Sequence, residues 1–260
     1  MRDIQTPDSD VEAKVVIVTG GARGIGASLG RHLAGDGARV VLADVLPTDG
    51  ERLAEELRAQ HLEVHFQYTD VTDEASLEAL VKDTTDRFGR IDVLVNNAAI
   101  YQGLGGKKKF TDITVAEWEQ VMAVNTRGVW LAIRAVYPVM AAQGFGRVIN
   151  IASSTVHMGV PFFAHYTASK GAVMALTRSL AKEVGRDGIT VNAVAPGLVE
   201  NESSGMLNDA EYFPVAAQQR AIPRSMQPTD LVGAVKFLSS DSSGFMTGQT
   251  LIIDGGVAFS

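Results

Sequence analysis

The amino-acid sequence contains no cysteine among its 260 residues. The protein therefore has no disulfide framework, no Cys-ligated zinc and no thiol nucleophile. Positive charge is also scarce, since 23 Lys and Arg residues stand against 30 Asp and Glu residues and leave a formal net charge of −7. Nucleic acids attract proteins mainly through their phosphates, so an acidic chain is a poor candidate for binding them. We expect no nucleic-acid partner.

Long hydrophobic runs are absent as well. No apolar stretch approaches the ~18 residues that a helix needs to cross a bilayer. The first 14 residues, MRDIQTPDSDVEAK, carry acidic side chains and lack the apolar block of a signal peptide or an anchor. The sequence predicts a soluble, cytoplasmic protein without a membrane partner, in which residues 1–12 form a flexible leader.

Short β-branched runs alternate with longer amphipathic stretches along the chain. The runs predict strands at 14–19, 39–44, 63–68, 91–96, 147–152, 189–194 and 249–254. Most of them are apolar on both faces, as a parallel sheet covered by helices on both sides requires. The amphipathic stretches predict helices at about 24–36, 49–60, 73–88, 114–143, 166–185 and 229–238. The expected fold is a single α/β domain, residues 1–260, with a doubly wound (Rossmann) parallel sheet of about seven strands.

Two connections are unusually long: residues 97–113 after the fourth predicted strand and residues 195–228 after the sixth. Such loops lie at the carboxyl ends of strands, where α/β sheets bind their ligands. Residues 198–222 combine glycine, polar and aromatic side chains, and we predict that they form a mobile lid that orders when substrate binds. The alternative is an ordinary packed surface segment.

A glycine-rich turn, TGGARGIG at residues 19–26, follows the first predicted strand. Glycines let the backbone turn tightly and approach a pyrophosphate, which binds the free N–H groups at the start of the next helix. Glycines also simply form turns, but here strand, glycines and helix come in the order of a dinucleotide-binding unit. Asp44 ends the second strand 18 residues after Gly26, close to the ~20 residues expected for an acid that binds the ribose 2′-hydroxyl.

The same region indicates which dinucleotide is bound. The Asp44 carboxylate would repel the 2′-phosphate of NADP, which favours NAD as the cofactor. Arg23 argues in the other direction, because a guanidinium beside the ribose favours a phosphate. No basic residue follows Asp44 in Val45-Leu46-Pro47, so NAD is the predicted cofactor.

Of the five tyrosines, only Tyr166 has a lysine four residues later, Lys170, which places both on one face of a predicted helix. A free phenol has a pKa of about 10 and is a poor base at neutral pH, whereas a nearby ammonium stabilises the phenolate. The pair is therefore suited to exchange a proton, unless it merely belongs to an amphipathic helix. Ser153, at the end of the fifth strand, can bind a substrate oxygen, although strand-end serines also cap loops.

Further short motifs accompany these residues: Asp70 after strand three, NNAA (96–99), Asn125 within VMAVNTRGV, PG (196–197) and DGG (254–256). Together with TGGARGIG and YTASK (166–170), this ordered set resembles the short-chain dehydrogenase/reductase family from about residue 13 to residue 256. The resemblance implies that Tyr166 is the general acid/base and that Lys170 lowers its pKa while binding the nicotinamide ribose. It also implies that Ser153 orients the substrate oxygen and that Asn125 holds a water linking Lys170 to solvent.

The resemblance extends the cofactor site over several strand ends. The implied cofactor-binding residues are Gly20, Arg23, Gly24, Ile25, Gly26, Asp44, Asp70, Val71, Asn97, Ala98, Tyr166, Lys170, Pro196, Gly197, Val199 and Asn201. Asp70 and Val71 would flank the adenine, and Val199 the nicotinamide. The chain departs from the family at Ala99, where relatives usually have glycine, and after PG, where Asn201 is expected to replace a threonine that contacts the carboxamide.

Two features are candidates for contacting the substrate. His157 lies in the stretch 154–165, which lines the substrate pocket of relatives. The long loop after strand four carries a run of three cations, Lys107, Lys108 and Lys109. A positive patch on an acidic protein would attract an anionic substrate such as a sugar acid or a sulfonated sugar, and a solvated surface run is the alternative. Histidines and carboxylates nowhere have metal-ligand spacing, so no metal is expected.

These features predict an oxidoreductase that uses NAD to interconvert a secondary or cyclic alcohol, including a sugar-like hemiacetal, and its carbonyl product. Within the same class, the alternative is an NADPH-dependent 3-oxoacyl-type ketoreductase, which Asp44 disfavours. A rival of another class is a non-catalytic dinucleotide-binding sensor, which would not need to keep together Asn125, Ser153, Tyr166 and Lys170. The resemblance also implies a homotetramer.

Overall fold

The computed structural model describes residues 11–100, 107–206, 208 and 211–259. Its strands are β1 Val15–Thr19, β2 Arg39–Asp44, β3 Val64–Tyr68, β4 Val93–Asn96, β5 Gly146–Ile151, β6 Ile189–Pro196 and β7 Thr250–Ile253. They form one parallel sheet in the order β3-β2-β1-β4-β5-β6-β7. The predicted doubly wound sheet of about seven parallel strands is confirmed.

Helices connect the strands. They are α1 Gly24–Gly35, α2 Pro47–Arg58, α3 Glu74–Phe88, α4 Val115–Met122, α5 Val129–Gln143, α6 Thr155–Met158, α7 Ala164–Val184, α8 Glu202–Gly205, α9 Tyr212–Ala217 and α10 Val232–Ser239. The sequence predicts one continuous helix over 114–143, but a π-helical segment, Ala123–Gly128, separates α4 from α5. No helix in the described ranges is both long and apolar enough to cross a membrane.

Alternate side chains of each strand enter different cores. Val16 and Val18 of β1 belong to the core that contains α1, α2 and α10. Ile17, which lies between them, belongs to the core that contains α3, α5 and α7. All three side chains are fully buried. Helices on both faces therefore explain why the strands read as continuous apolar runs.

The order of the strands creates a crevice at one edge of the sheet. β1 pairs with β2 on one side and with β4 on the other. The chain winds from β1 toward β3 and later from β4 toward β7, so the connections after β1 and β4 leave in opposite directions. The crevice opens beyond the carboxyl ends of these two strands. The glycine-rich turn, Asp44 and the loop after β4 all lie at this edge.

The amino-terminal segment differs in part from the predicted leader. Residues 1–10 lie outside the described residues. Val11, however, is 1% exposed and belongs to the same core as α1. Its carbonyl accepts a hydrogen bond from the Lys14 N–H, and the Ala13 N–H donates to the Gly37 carbonyl. Burial of an apolar side chain and these bonds make Val11 part of the folded core.

Candidate active site

A cavity of about 760 Å³ lies beyond the carboxyl ends of the strands. Most residues that the sequence analysis predicts for a site come together in its wall: Gly20, Arg23, Gly24, Ile25, Asp44, Asp70, Val71, Asn97, Ala98, Lys107, Ser153, Tyr166, Lys170, Pro196, Gly197, Val199 and Asn201. The predicted residues that do not line the cavity are Gly26, Lys108, Lys109, Asn125 and His157.

The glycine-rich turn leaves no room for side chains. Gly20 has a φ of +63°, and a Cβ on it would lie 2.8 Å from the Cα of Ala98. A Cβ on Gly26 would lie 2.0 Å from the Gly20 carbonyl oxygen. The Asn97 amide braces the turn by donating hydrogen bonds of 3.1 and 3.0 Å to the carbonyls of Thr19 and Gly20. Only glycine allows the backbone to come this close.

Helix α1 begins directly after this turn, and its amino terminus has no side-chain cap. Arg23 at the N-cap makes no capping hydrogen bond, so the first main-chain N–H groups of α1 remain available to an anion. Gly20 and Gly24 line the cavity and place no side chain in front of this terminus. The turn therefore fits the pyrophosphate of a dinucleotide.

Asp44 is buried at the end of β2 and lines the cavity. Its Oδ2 accepts a hydrogen bond of 2.9 Å from the Ala22 N–H of the turn. Its Oδ1 accepts one of 3.2 Å from the Leu46 N–H. These two bonds fix a carboxylate beside the glycine-rich turn, where a ribose hydroxyl can donate to it.

Arg23 also lines the cavity, but it is engaged with the protein itself. Its Nη2 lies 2.7 Å from Asp49 Oδ2 on α2. The hydrogen bond to Asp49 is the main cause that raises the pKa of Arg23, and the charge of Glu202 adds to it. Arg52 lies 3.6 Å from the other Asp49 oxygen. Any phosphate near Arg23 would have to compete with Asp49.

The loop after β3 forms another part of the wall. Asp70 accepts hydrogen bonds of 2.8 and 2.7 Å from the main-chain N–H and the hydroxyl of Thr72. Val71 packs against the π-helical segment at Gly128, where a Cβ would lie 2.8 Å from the Val71 side chain. A larger residue at position 128 would displace Val71.

Tyr166 and Lys170 come from α7, and both line the cavity. The Lys170 Nζ lies 5.8 Å from the centre of the Tyr166 ring and donates a hydrogen bond of 2.6 Å to the Ile151 carbonyl. Lys170 is 2% exposed, and burial lowers the pKa of its ammonium to about 8. Phe163 stacks on Tyr166 with 4.6 Å between the ring centres. The phenol thus has a fixed plane and a cation beside it.

Ser153 follows β5 and is 6% exposed at the cavity wall. Its Oγ accepts hydrogen bonds from the Thr155 main-chain N–H at 3.3 Å and from the Thr155 hydroxyl at 3.0 Å. Because both bonds use Oγ as the acceptor, the Ser153 hydroxyl can still donate to another oxygen.

Asn125 is fully buried in the π-helical segment. Its Oδ1 accepts a hydrogen bond of 2.8 Å from the Ile100 N–H, and its Nδ2 donates to the Ile100 carbonyl at 3.0 Å and to the Ser169 hydroxyl at 3.1 Å. The side chain therefore ties the loop after β4 to α7, one residue before Lys170. Its implied role in holding a water remains a prediction.

Asn201 has a structural partner that the sequence analysis does not anticipate. Its Oδ1 accepts a hydrogen bond of 2.9 Å from the Ser204 N–H, and the Ser204 hydroxyl accepts one of 3.0 Å from the Asn201 N–H. This capping box begins α8. The Asn201 amide nitrogen would lie 3.6 Å from a Cβ on Gly24, so the nitrogen end of the amide faces the glycine-rich turn.

The fold separates His157 from the cavity. His157 is exposed and does not line the wall, whereas Thr155 and Met158 do. α6 is a single turn, so residues three apart share one face and His157 lies on another. The expected substrate contact of His157 is therefore not made by this arrangement.

The three consecutive lysines also differ from one another. Lys107 lines the cavity. Lys108 is paired with Glu117 at the start of α4, and Lys109 is exposed outside the cavity. The expectation that all three meet the substrate is therefore too broad, because only Lys107 is in a position to do so.

Phe163 and Arg220 are among the cavity residues that are absent from the predicted set. Phe163 precedes Tyr166 by three residues, and an aromatic at this spacing is a signal that sequence reasoning can use. Arg220 lines the cavity and is 8% exposed. Nothing in its sequence neighbourhood distinguishes it from other arginines, because its position depends on how residues 198–222 fold.

Comparisons with known proteins agree with this architecture. A family model described as enoyl-(acyl carrier protein) reductase matches residues 20–258. A 3-alpha-(or 20-beta)-hydroxysteroid dehydrogenase of Mycobacterium tuberculosis is 39% identical over 243 residues, covering 94% of this chain and 88% of the relative. A "probable galactose dehydrogenase" of Rhizobium meliloti is 35% identical over 250 residues, covering 95% and 96%. The crystal structure of a "putative gluconate dehydrogenase" from Agrobacterium tumefaciens has a TM-score of 0.89 and 30% identity, covering 96% of this chain and 98% of that one.

The doubly wound sheet and the glycine-rich turn after β1 define the Rossmann class of dinucleotide-binding proteins. The chain belongs to the short-chain dehydrogenase/reductase family. It is an oxidoreductase of the alcohol/carbonyl type, and its family binds nicotinamide dinucleotides.

Proposed function

We propose that the protein uses NAD to oxidise a secondary or cyclic alcohol, including a sugar-like hemiacetal, or to reduce the corresponding carbonyl. The observation that carries this proposal is the meeting of Ser153, Tyr166 and Lys170 in the wall of one cavity that Asp44 also lines. A hydroxyl donor, a phenol that exchanges a proton and a buried cation are the protein groups that this reaction needs.

The glycine-rich turn and the strand ends would hold the cofactor. Gly20 and Gly24 would admit the pyrophosphate to the start of α1, and Asp44 would accept a hydrogen bond from the adenosine ribose. Val199 and the preceding Pro196-Gly197 would lie against the nicotinamide. The dinucleotide, when bound, supplies the nicotinamide carbon that exchanges a hydride with the substrate.

Tyr166 takes the proton from the substrate hydroxyl during oxidation and returns it during reduction. The Lys170 ammonium favours the ionised phenol through its charge. With a pKa of about 8, most Lys170 side chains are charged at neutral pH. Ser153, whose Oγ is held by Thr155, donates a hydrogen bond to the substrate oxygen and keeps it near the phenol.

The preference for NAD follows from the charges near the turn. Asp44 presents a fixed carboxylate, and Arg23 is paired with Asp49. A 2′-phosphate would lie against one carboxylate and compete with the other for Arg23. An NADPH-dependent ketoreductase is the second candidate, because the Arg23 side chain is 45% exposed and can turn away from Asp49.

The test is the reduction of NAD and of NADP by a panel of alcohols, measured by nicotinamide absorbance. The panel contains galactose, gluconate, a 3α-hydroxysteroid and simple cyclic alcohols. We expect the wild-type protein to oxidise at least one of these alcohols with NAD. The Tyr166→Phe variant should oxidise none of them. A protein that binds NAD but turns over no alcohol or ketone would be the non-catalytic sensor, and one that prefers NADP would be the ketoreductase.

We also propose that the protein is a homotetramer. An apolar groove between α4, α5 and α7 is lined by residues including Met122, Trp130 and Leu176, and Trp130 is 41% exposed. Phe245, between α10 and β7, is also exposed. Large exposed apolar surfaces mark protein interfaces. Light scattering should give four times the mass of the chain, and a monomer would contradict the proposal.

A further inference from the structure

Lys107, Tyr212 and Arg220 line the cavity, and the part of the wall that they form is here called the lid end. Lys107 belongs to the loop after β4. The Lys107 Nζ donates a hydrogen bond of 3.2 Å to Asn208 Oδ1 and lies 5.0 Å from the centre of the Tyr212 ring. Lys107 has no carboxylate within 4 Å among the residues that the structure describes. One of its three N–H groups is used, and two remain available to a ligand.

Arg220, which follows α9, lines the same cavity. Its Nη1 donates to the Arg224 carbonyl at 2.6 Å and its Nη2 to the Leu198 carbonyl at 2.7 Å. Its buried Nε has no hydrogen-bond partner in the described ranges. Because a guanidinium has five N–H groups, these bonds leave part of its donor capacity unused.

The carboxylates near Arg220 are held by other groups. Asp254 accepts hydrogen bonds of 2.9, 3.1 and 2.9 Å from the main-chain N–H groups of residues 256, 257 and 258. Asp230 is bound by both terminal nitrogens of Arg224, at 2.7 and 2.6 Å. Burial lowers the pKa of Arg220, and the charge of Asp254 only partly opposes this effect. Arg220 is thus a buried cation that forms no ion pair with a described carboxylate.

The other acidic residues of the cavity wall interact with groups other than Lys107 and Arg220. Asp44 accepts hydrogen bonds at the glycine-rich turn, Asp70 accepts them from Thr72, and Glu202 lies near Arg23. Lys107 and Arg220 thus both line the cavity, and neither forms an ion pair with a carboxylate of the described residues. A buried charge without a counter-ion is costly, so an anion bound there would be stabilised.

We propose that the substrate carries a carboxylate, which Lys107 and Arg220 recognise at the lid end of the cavity. This inference rests on the proposed function, because the same molecule must present its hydroxyl to Tyr166. The substrate class is therefore a hydroxy acid or a sugar acid. Hydrogen bonds to charged groups contribute enough that the carboxylate should bind about tenfold or more tightly than a neutral analogue.

The two cations should respond differently to salt. Lys107 is exposed, so its attraction for an anion is screened over a Debye length of about 8 Å at physiological ionic strength. Arg220 is buried, and its attraction is screened much less. In the wild-type protein, the preference for a carboxylate over its neutral analogue should therefore fall as salt is added but should not vanish. In Lys107→Met, the remaining preference should be nearly independent of salt.

The experiment compares matched probes: galacturonate with galactose, gluconate with sorbitol, and 3-hydroxybutyrate with 1,3-butanediol. Binding to the free protein and to its NADH complex is measured by calorimetry, and turnover with NAD is measured where it occurs. The proteins are wild type, Lys107→Met, Arg220→Lys, Arg220→Met and the control Lys109→Met, which removes an exposed cation outside the cavity. Thermal melting confirms that each variant is folded.

We expect at least one acid to bind about tenfold or more tightly than its neutral partner. Lys107→Met and Arg220→Met should each lower this ratio, Arg220→Lys should keep part of it, and Lys109→Met should leave it unchanged. A purely structural role of Arg220 would weaken acid and neutral probes equally. The proposal is overturned if no acid is preferred in binding or turnover, or if the ratio does not depend on Lys107 and Arg220.

The design separates this inference from the proposed function. If alcohols reduce NAD without any preference for acids, the oxidoreductase proposal stands and the carboxylate proposal fails. If acids bind selectively through Lys107 and Arg220 but no probe, including the wider alcohol panel, is oxidised, the site is an anion site and the proposed function fails.

Discussion

The two ends of the cavity differ in the parts of the chain that build them and in the charge they present. The cofactor end consists of main-chain turns at strand ends, where Gly20 and Gly26 exclude side chains and Asp44 is held by a main-chain N–H. The lid end consists of side chains from distant segments, with Lys107 after β4 and Arg220 after β6. The cofactor end presents the fixed carboxylate of Asp44 and an arginine that is paired with Asp49, whereas the lid end presents Lys107 and Arg220, which form no ion pair with a described carboxylate.

This difference reflects what each end binds. A dinucleotide is the same molecule for every enzyme that uses it, so a main chain that only glycine allows is a suitable binding surface. A substrate differs from one enzyme to another, and side chains on loops can change without disturbing the sheet. Tyr166 and Lys170 lie on α7, a long helix packed on the sheet, and the chemistry therefore stays fixed while the lid end varies.

The largest effect is expected from Tyr166→Phe, which leaves both ends of the cavity intact. Loss of the phenolic hydroxyl should lower kcat by roughly 100- to 10,000-fold, the usual range for a general acid/base. NAD affinity should be unchanged, as measured by calorimetry. Tyr137→Phe is the matched control, because Tyr137 does not line the cavity. Its hydroxyl donates a hydrogen bond of 3.0 Å to Asp187. Retention of more than a tenth of the rate in Tyr166→Phe would remove it from the proposed role.

Lys170 should make the stability of the protein depend on pH. Its folded pKa is about 8 and the ordinary pKa of a lysine is 10.5, so between these values the unfolded chain holds a proton that the folded protein has released. Stability of wild type relative to Lys170→Met should therefore rise from about pH 8 and level off near pH 10.5. The total change is on the order of 3 kcal/mol, since each pKa unit is about 1.4 kcal/mol. Urea denaturation at several pH values measures it, and a flat difference would contradict it.

A larger residue in the glycine-rich turn should weaken cofactor binding without affecting anion binding at the lid end. A Cβ in Gly26→Ala would lie 2.0 Å from the Gly20 carbonyl oxygen, and such overpacking typically costs about 1–3 kcal/mol. NAD affinity should fall accordingly while anion binding at the lid end remains. Gly35→Ala, in the same helix, is the control, because a Cβ there has nothing within 4 Å and alanine favours helix. Equal NAD affinity in both variants would contradict the steric argument.

The cofactor end can be predicted from the sequence better than the lid end. The strands, the glycine-rich turn, Asp44 and the Tyr166–Lys170 pair follow from local patterns, since period, spacing and glycine act within a few residues. The π-helical segment around Asn125 has no such pattern, and the sequence predicts an unbroken helix there. Its geometry depends on bonds from Asn125 to Ile100 and Ser169, which are distant in sequence.

At the lid end, local patterns fail for the same reason. Three identical lysines in a row cannot be told apart by sequence, yet Lys108 meets Glu117 and only Lys107 reaches the cavity. His157 lies in the segment expected to contact substrate, but the single turn of α6 directs Met158 instead to the wall. Arg220 becomes notable only when its carbonyl partners at Leu198 and Arg224 are known.

The cofactor preference tests the charge of the cofactor end. NAD should be preferred over NADP by at least about tenfold in kcat/KM, since repulsion by Asp44 should exceed about 1.4 kcal/mol. Asp44→Ala should narrow this gap. Asp49→Asn should narrow it less, because it frees Arg23 for a 2′-phosphate but leaves Asp44 in place. Equal efficiency of wild type with both cofactors would contradict the role given to Asp44.

The smallest effect concerns the lid, residues 198–222. α8 and α9 have four and six residues, too few for a stable isolated helix, so their protection from hydrogen exchange depends on contacts with the rest of the protein. One such contact joins Lys107 to Asn208 and Tyr212.

Exchange in α9 should slow when NADH and substrate are bound, whereas exchange in the packed helix α1 should change little beyond its first turn. Asn208→Ala should speed exchange in the free protein by about 2- to 10-fold, since a hydrogen bond contributes about 0.5–1.5 kcal/mol. Equal exchange of α9 in the free and bound protein would identify residues 198–222 as a packed surface segment, and substrate selection at the lid end would then depend on charge without closure.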